Sequence, residues 1–260
     1  MMFFSYNYLG DIMNNVAMAF ILTIFAGLST MLGTIFIFLK KKNNKILISS
    51  LGFAAGVMIT VSLTDLIPES YNLLKNIYPT FPRFIYILIF IVTGIILSML
   101  IDKYLPENKN NNGLYRVGII SMLAIILHNI PEGIATFMAT NSDIKLGISL
   151  AIAIALHNIP EGISISIPIY YATKSRRSAL LYTFISGISE IFGALITYLF
   201  LSNFINDRIM GFLFSIIAGV MMHISIYELI PTSLSYKNNK LTYLFILIGA
   251  LFMIINHFVF

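Results

Sequence analysis

Two histidines and two glutamates stand in an octapeptide that occurs twice: LHNIPEGI fills residues 127–134 and again residues 156–163. On a helix, positions four apart share a face and positions three apart lie beside it, so His128, Asn129 and Glu132 can serve one site. His157, Asn158 and Glu161 repeat the arrangement. Two imidazoles, two amides and two carboxylates then converge, with Glu190 as a third carboxylate. Imidazole plus carboxylate suits Zn2+, Fe2+ and similar divalent ions, and a pair of glutamates can bridge two of them. The chain has no Cys, which argues against Cu(I) and excludes thiolate zinc sites, disulfides and Cys nucleophiles.

Pro131 and Pro160 belong to the same chemistry. Each lacks the amide hydrogen that would reach the carbonyl four residues earlier, which frees the carbonyls of Leu127 and Leu156 and bends the helix. Gly133 and Gly162 let helices approach closely. Such irregular backbone is tolerated at membrane depth where it lines a cavity.

The elements that must hold these residues follow from composition. Of 260 residues, 58% are apolar and 10% charged, against roughly 25% charged in a soluble domain. Eight apolar stretches, at about 14–39, 46–74, 84–102, 115–140, 144–172, 178–202, 208–234 and 241–259, each reach the ~20 residues a spanning helix needs. The expected fold is all-α: a polytopic membrane protein, one transmembrane domain over residues 1–260. Residues 1–39 hold no Lys or Arg, so the basic start of a cleavable signal peptide is missing and the first span is expected to stay as an anchor. The connections after spans 1, 3, 5 and 7 hold twelve basic residues and the opposite side only Lys75, Arg83, Lys145 and Arg208. Basic loops stay cytoplasmic, so both termini are expected outside. Charges spread over short loops, with no motif or aromatic platform, exclude nucleic acid as a partner despite the net charge of +5. Asn108 to Asn112 reads as a loop.

Two repeats run through the spans. AGVMITVSLTDLIPES at 55–70 matches AGVMMHISIYELIPTS at 218–233 in nine of sixteen positions, and the octapeptides match completely. Spans 2 and 7, and spans 4 and 5, cross in opposite directions, so each repeat is inverted. Transporters place substrate at the axis of such repeats, near the bilayer midplane. Glu132, Glu161 and Glu190 lie mid-span while all sixteen Lys and Arg fall in the loops, so the carboxylates have no fixed cation there. A carboxylate at that depth must be protonated or bind a metal. The acids nearer the span ends suggest a path: Asp65 and Glu69 as an entrance, Glu228 with His223 as an exit. His257, near the end of span 8, receives no role. A metal-dependent hydrolase within the membrane is the alternative in another class. However, no HExxH, G-x-S-x-G or phosphate-binding loop occurs, and acids at both mouths suit passage better than hydrolysis. A bis-histidine haem would leave Glu132 and Glu161 without a purpose.

With HNIPEG in consecutive spans, LGFAAGVM opening span 2, GISEIFGA in span 6 and eight spans overall, the chain resembles the ZIP family of divalent-metal transporters, and within it the bacterial zinc-uptake branch. The resemblance covers nearly the whole chain. It implies an eight-helix bundle in the bacterial cell membrane and uptake of Zn2+, with Fe2+, Mn2+, Co2+ and Cd2+ as further cargo and no resident cofactor or enzymatic activity. It also implies a binuclear centre, one ion held by His128, Glu132, His157 and Glu161 and the other by Asn129, Glu132, Asn158, Glu161 and Glu190. Met58 matches a methionine near that centre. Partners would be the divalent ions, the lipid bilayer and, in a dimer, a second copy. Some relatives carry a His-rich loop between spans 3 and 4; residues 103–116 contain no His.

Overall fold

The computed structural model describes residues 2–39, 43–104, 113–201 and 206–259. Lys40, Lys41, Lys42, Lys109 and the run Asn108 to Asn112 lie outside the described residues. Eight helices among the described residues are long and apolar enough to cross a bilayer: α1 (Asn15–Phe38), α2 (Asn44–Leu73), α3 (Thr80–Tyr104), α4 (Leu114–Ser142), α5 (Ile144–Thr173), α6 (Arg176–Phe200), α7 (Asp207–Ser235) and α8 (Asn239–Val259). No strand occurs among those residues, as an all-α membrane fold requires. Side-chain caps mark several starts. Asn43 accepts from the amide of Lys45, Asp143 from Lys145, Ser175 from Ser178 and Asn206 from Ile209.

The helices sort into two groups of four. α1, α4, α5 and α6 pack on one another, as do α2, α3, α7 and α8, and the groups meet chiefly where α5 crosses α2 and α4 crosses α7. α3 and α8 lie outermost: only 17% and 22% of their most apolar windows are buried, against 72% for α2. Lipid is as apolar as leucine, so helices here gain little from hiding apolar surface and rely on close backbone packing.

Small residues supply that closeness, and they reveal more symmetry than the two repeats seen in the sequence. A side chain at Gly56 of α2 would strike the carbonyl of Ile246 in α8, and one at Gly219 of α7 would strike the carbonyl of Ile91 in α3. Thus α3 and α8 form a third inverted pair. The fourth is α1 with α6, which share Ala, Thr, Gly, Ser and Gly at 19, 23, 27, 29 and 33 and again at 179, 183, 187, 189 and 193. Thr23 donates to the carbonyl of Ala19 and Thr183 to that of Ala179, both at 2.8 Å.

The repeat in α2 and α7 also explains a shared irregularity. Each helix widens into a π turn, at Ser62–Leu66 and at Ser225–Leu229, just before its Ile-Pro pair. Pro68 and Pro231 cannot donate to the preceding turn, and the wider turn accommodates the missing bond. Ser62 donates to the carbonyl of Met58, and Ser225 to that of Met221, both at 2.8 Å.

Several cations expected in loops lie instead in the end turns of the helices, among them Lys45, Lys103, Lys145 and Arg208. Arg83 and Arg116 lie in the first turns of α3 and α4. Arg83 is 5% exposed, donates to the carbonyls of Tyr78 and Lys75, and lies 4.3 Å from the ring of Tyr71. Arg116 is 2.6 Å from a carboxylate oxygen of Asp102 in α3. Both ride at helix ends because the long side chain can reach open carbonyls and acids there.

Candidate metal centre

α4 and α5 form an antiparallel pair joined through Asp143, which brings the two octapeptides to one level. Pro131 and Pro160 lie within continuous helices. Close contact with the outer helices holds the pair in place. A side chain on Gly133 would run into the carbonyl of Glu190 in α6, and one on Gly162 into that of Thr30 in α1. The approach is symmetric, as the α1 and α6 repeat dictates.

Between the two proline turns, His128, Glu132 and His157 offer nitrogen and oxygen atoms all within 4.8 Å of one another. His128 Nε2 lies 3.1 Å from Glu132 Oε1 and 3.4 Å from Glu161 Oε1, while His157 Nε2 lies 2.9 Å from Glu132 Oε1. All four side chains are buried. The amides stand one layer away, against the outer helices. Asn129 donates to the carbonyl of Ser186 in α6 at 3.1 Å; Asn158 donates to the carbonyl of Ala26 in α1 and to Glu190 Oε2, both at 2.9 Å. With the NH2 groups engaged, each amide presents its oxygen. Eight buried nitrogen and oxygen atoms on His128, Asn129, Glu132, Asn158, Glu161 and Glu190 lack a hydrogen-bond partner. Buried polar atoms are rarely left so, and their concentration in one cluster is what a site for a cation requires.

Short contacts thus link His128, Glu132, His157 and Glu161 in one cluster and Asn158 with Glu190 beside it, while Asn129 reaches Ser186. Thr30 occupies in α1 the position Glu190 holds in α6, is fully buried, and has a hydroxyl without a partner. The comparison of GLSTMLG at 27–33 with GISEIFG at 187–193 carries the signal for it. Met58 is fully buried in the main core cluster.

A cavity of about 420 Å³ runs from Asp65, Glu69 and His257 down to Glu132 and His157. His257, given no role from sequence, stands at its mouth with Nδ1 2.7 Å from Asp65 Oδ1. At the other end of the bundle stands His223, 6% exposed. Its Nδ1 is 2.9 Å from Ser98 Oγ, and its ring stacks on Tyr227 with centroids 5.0 Å apart. Glu228 lies beside Asp102, the partner of Arg116.

Eight spanning helices in inverted repeats, around a buried cluster of His and Glu that could hold a metal ion, define a multi-pass membrane transport protein. The family model described as ZIP Zinc transporter matches residues 107–257. The chain belongs to the ZIP family. It is 40% identical to a zinc transporter ZupT of Clostridium perfringens over 95% of this chain and 97% of the relative. It is 38% identical to that of Oceanobacillus iheyensis over 94% and 98%, and 40% identical to that of Streptococcus mutans over 92% and 96%. This is a multi-pass bacterial membrane protein. ZIP proteins transport and are not enzymes, so the intramembrane hydrolase finds no support.

Proposed function

We propose that this chain carries Zn2+ into the cytoplasm through a binuclear site between α4 and α5, with Fe2+, Mn2+, Co2+ and Cd2+ as lesser cargo. The observation that carries the reading is the cluster of unpartnered buried donor atoms on six of the seven candidate residues. One ion takes His128, Glu132, His157 and Glu161. The other takes the oxygens of Asn129 and Asn158 with Glu132, Glu161 and Glu190. The two shared glutamates bridge the ions, so each carboxylate works twice and four negative charges are not needed at one point.

Entry follows the cavity from Asp65 and His257, and both termini face outside. An ion that reaches Glu132 exchanges water for imidazole and carboxylate, and the imidazoles must be neutral to bind it. Protons therefore compete with metal. Uptake is expected to fall as pH drops below the ordinary histidine range, about 6.5. Release needs ligands that bind strongly enough to dehydrate the ion yet let it leave; Glu228 and Asp102 at the basic end receive it. In the bilayer the lightly buried faces of α3 and α8 meet lipid, or a second copy in a homodimer.

Counting bound zinc tests the site. Purified protein equilibrated with ZnCl2 is expected to hold two ions per chain, Glu190→Ala one, and Glu132→Ala none. Two ions retained by Glu132→Ala would overturn the shared-carboxylate centre.

A further inference from the structure

A second cavity, of about 580 Å³, opens elsewhere in the molecule, in the seam between the two helix groups. Phe36 and Leu39 at the end of α1 and Ile163 of α5 form one side. Lys45, Ser49 and Phe53 of α2 and Phe245 and Ile248 of α8 form the other. From Lys45 to Phe53 the crevice follows two turns of α2, about 12 Å at the helical rise. Phe36, Leu39 and Ile248 are exposed on the outer surface of the bundle, so the mouth opens sideways toward the bilayer and not toward either aqueous face. Among the described residues its lining has no His, Asp or Glu.

We propose that this crevice binds an anionic phospholipid. At membrane depth an apolar furrow open to the side has only hydrocarbon to fill it, because water there would lack partners. One acyl chain lies between Phe53, Phe245 and Ile163. Among the described residues the cation in the lining is Lys45, exposed in the first turn of α2, where a lysine extends its flexible stem toward the headgroup layer. It meets the lipid phosphate. Lys45 belongs to the end of the bundle that also carries Lys174, Arg176, Arg177, Lys237 and Lys240. A surface of that sign attracts anionic headgroups, and Lys45 stands at the end of the apolar crevice. The occupied crevice touches both helix groups at once. Its inner wall, Ile163, is 5% exposed and two residues from Glu161, so the acyl chain is seated against the helix that carries the metal ligands.

Lipid retention tests this without reference to zinc. The full chain is purified in mild detergent, equilibrated with phosphatidylglycerol or phosphatidylcholine, and its bound lipids are counted by native mass spectrometry. Phosphatidylglycerol is expected to be retained over phosphatidylcholine, and Lys45→Ala to weaken that retention about fivefold, the worth of one lysine at a lipid surface. Ser49→Phe and Ile248→Trp, which fill the crevice from the two helices of one wall, are expected to remove the bound lipid. Arg177→Ala, an exposed cation outside the lining, is expected to leave retention unchanged. Equal retention of both lipids, equal losses in Lys45→Ala and Arg177→Ala, or full retention in both crevice-filling variants would each overturn the proposal.

Discussion

Each residue of the octapeptide carries a separable task. In the proposed centre, His128, His157, Glu132 and Glu161 would present donor atoms to one ion. The asparagines use their NH2 groups to fasten to the carbonyls of Ser186 and Ala26, so Asn129→Ala or Asn158→Ala removes a donor oxygen together with the bond that aims it. Loss of such orientation typically costs 10–100-fold in metal affinity, and zinc titrations of the two variants are expected to fall in roughly that range. Thr30 offers a finer test. It stands where symmetry would place a second Glu190, and Thr30→Ala is expected to change the ion preference among Zn2+, Cd2+ and Fe2+ more than it changes folding. Unaltered competition curves would show that the hydroxyl takes no part. At the cavity mouth, Asp65 and His257 face one another at 2.7 Å. Asp65→Asn combined with His257→Ala is expected to slow uptake at low zinc concentration and leave the maximal rate near normal, since a charged rim acts on encounter. The octapeptide residues were legible because their spacing repeats on a helical period. His257 was not: its partner lies 192 positions away, and no local pattern signals that pairing.

Among the elements, the close crossings decide whether the centre forms. Gly133 sits against the carbonyl of Glu190 and Gly162 against that of Thr30. In each case the obstacle is backbone, which cannot swing aside as a flexible side chain would. Gly133→Ala or Gly162→Ala is therefore expected to force α4 from α6, or α5 from α1, at a cost of about 1–3 kcal/mol. Thermal unfolding in detergent should register it as a lowered midpoint, together with lost zinc binding; an unchanged midpoint would mean that the helices can part freely. The π turns in α2 and α7 were half legible. The repeat sets an Ile-Pro pair at the same point of both helices, but whether a proline turn kinks or widens depends on how neighbours satisfy the freed carbonyls. Likewise the inverted relation of α1 to α6 rests on five small or hydroxylated residues spread over fifteen positions. It becomes evident only when the glycines are seen meeting equivalent partners, Gly33 the carbonyl of Ile159 and Gly193 that of Ile130.

For the molecule as a whole, charge distribution and inverted symmetry lead to one picture. Eight spans and an acidic interior were readable from composition, because a bilayer rejects charge that has no purpose. The division into two groups of four was not, since apolar helices packing in lipid share the same composition whichever neighbour they choose. Orientation can be checked directly because the chain has no Cys of its own. Arg177→Cys is expected to react with a membrane-impermeant maleimide only after the cells are opened, and Lys145→Cys in intact cells. Reversed labelling would turn the transport direction around. The central claim, that Zn2+ crosses through the pair of bridging glutamates, is tested most directly by radioactive zinc uptake into proteoliposomes. The unaltered chain is expected to give saturable uptake that falls as external pH is lowered. Glu132→Ala and Glu161→Ala, reconstituted at equal density, are expected to give no more than empty vesicles; zinc flux at the normal rate in either variant would contradict the account.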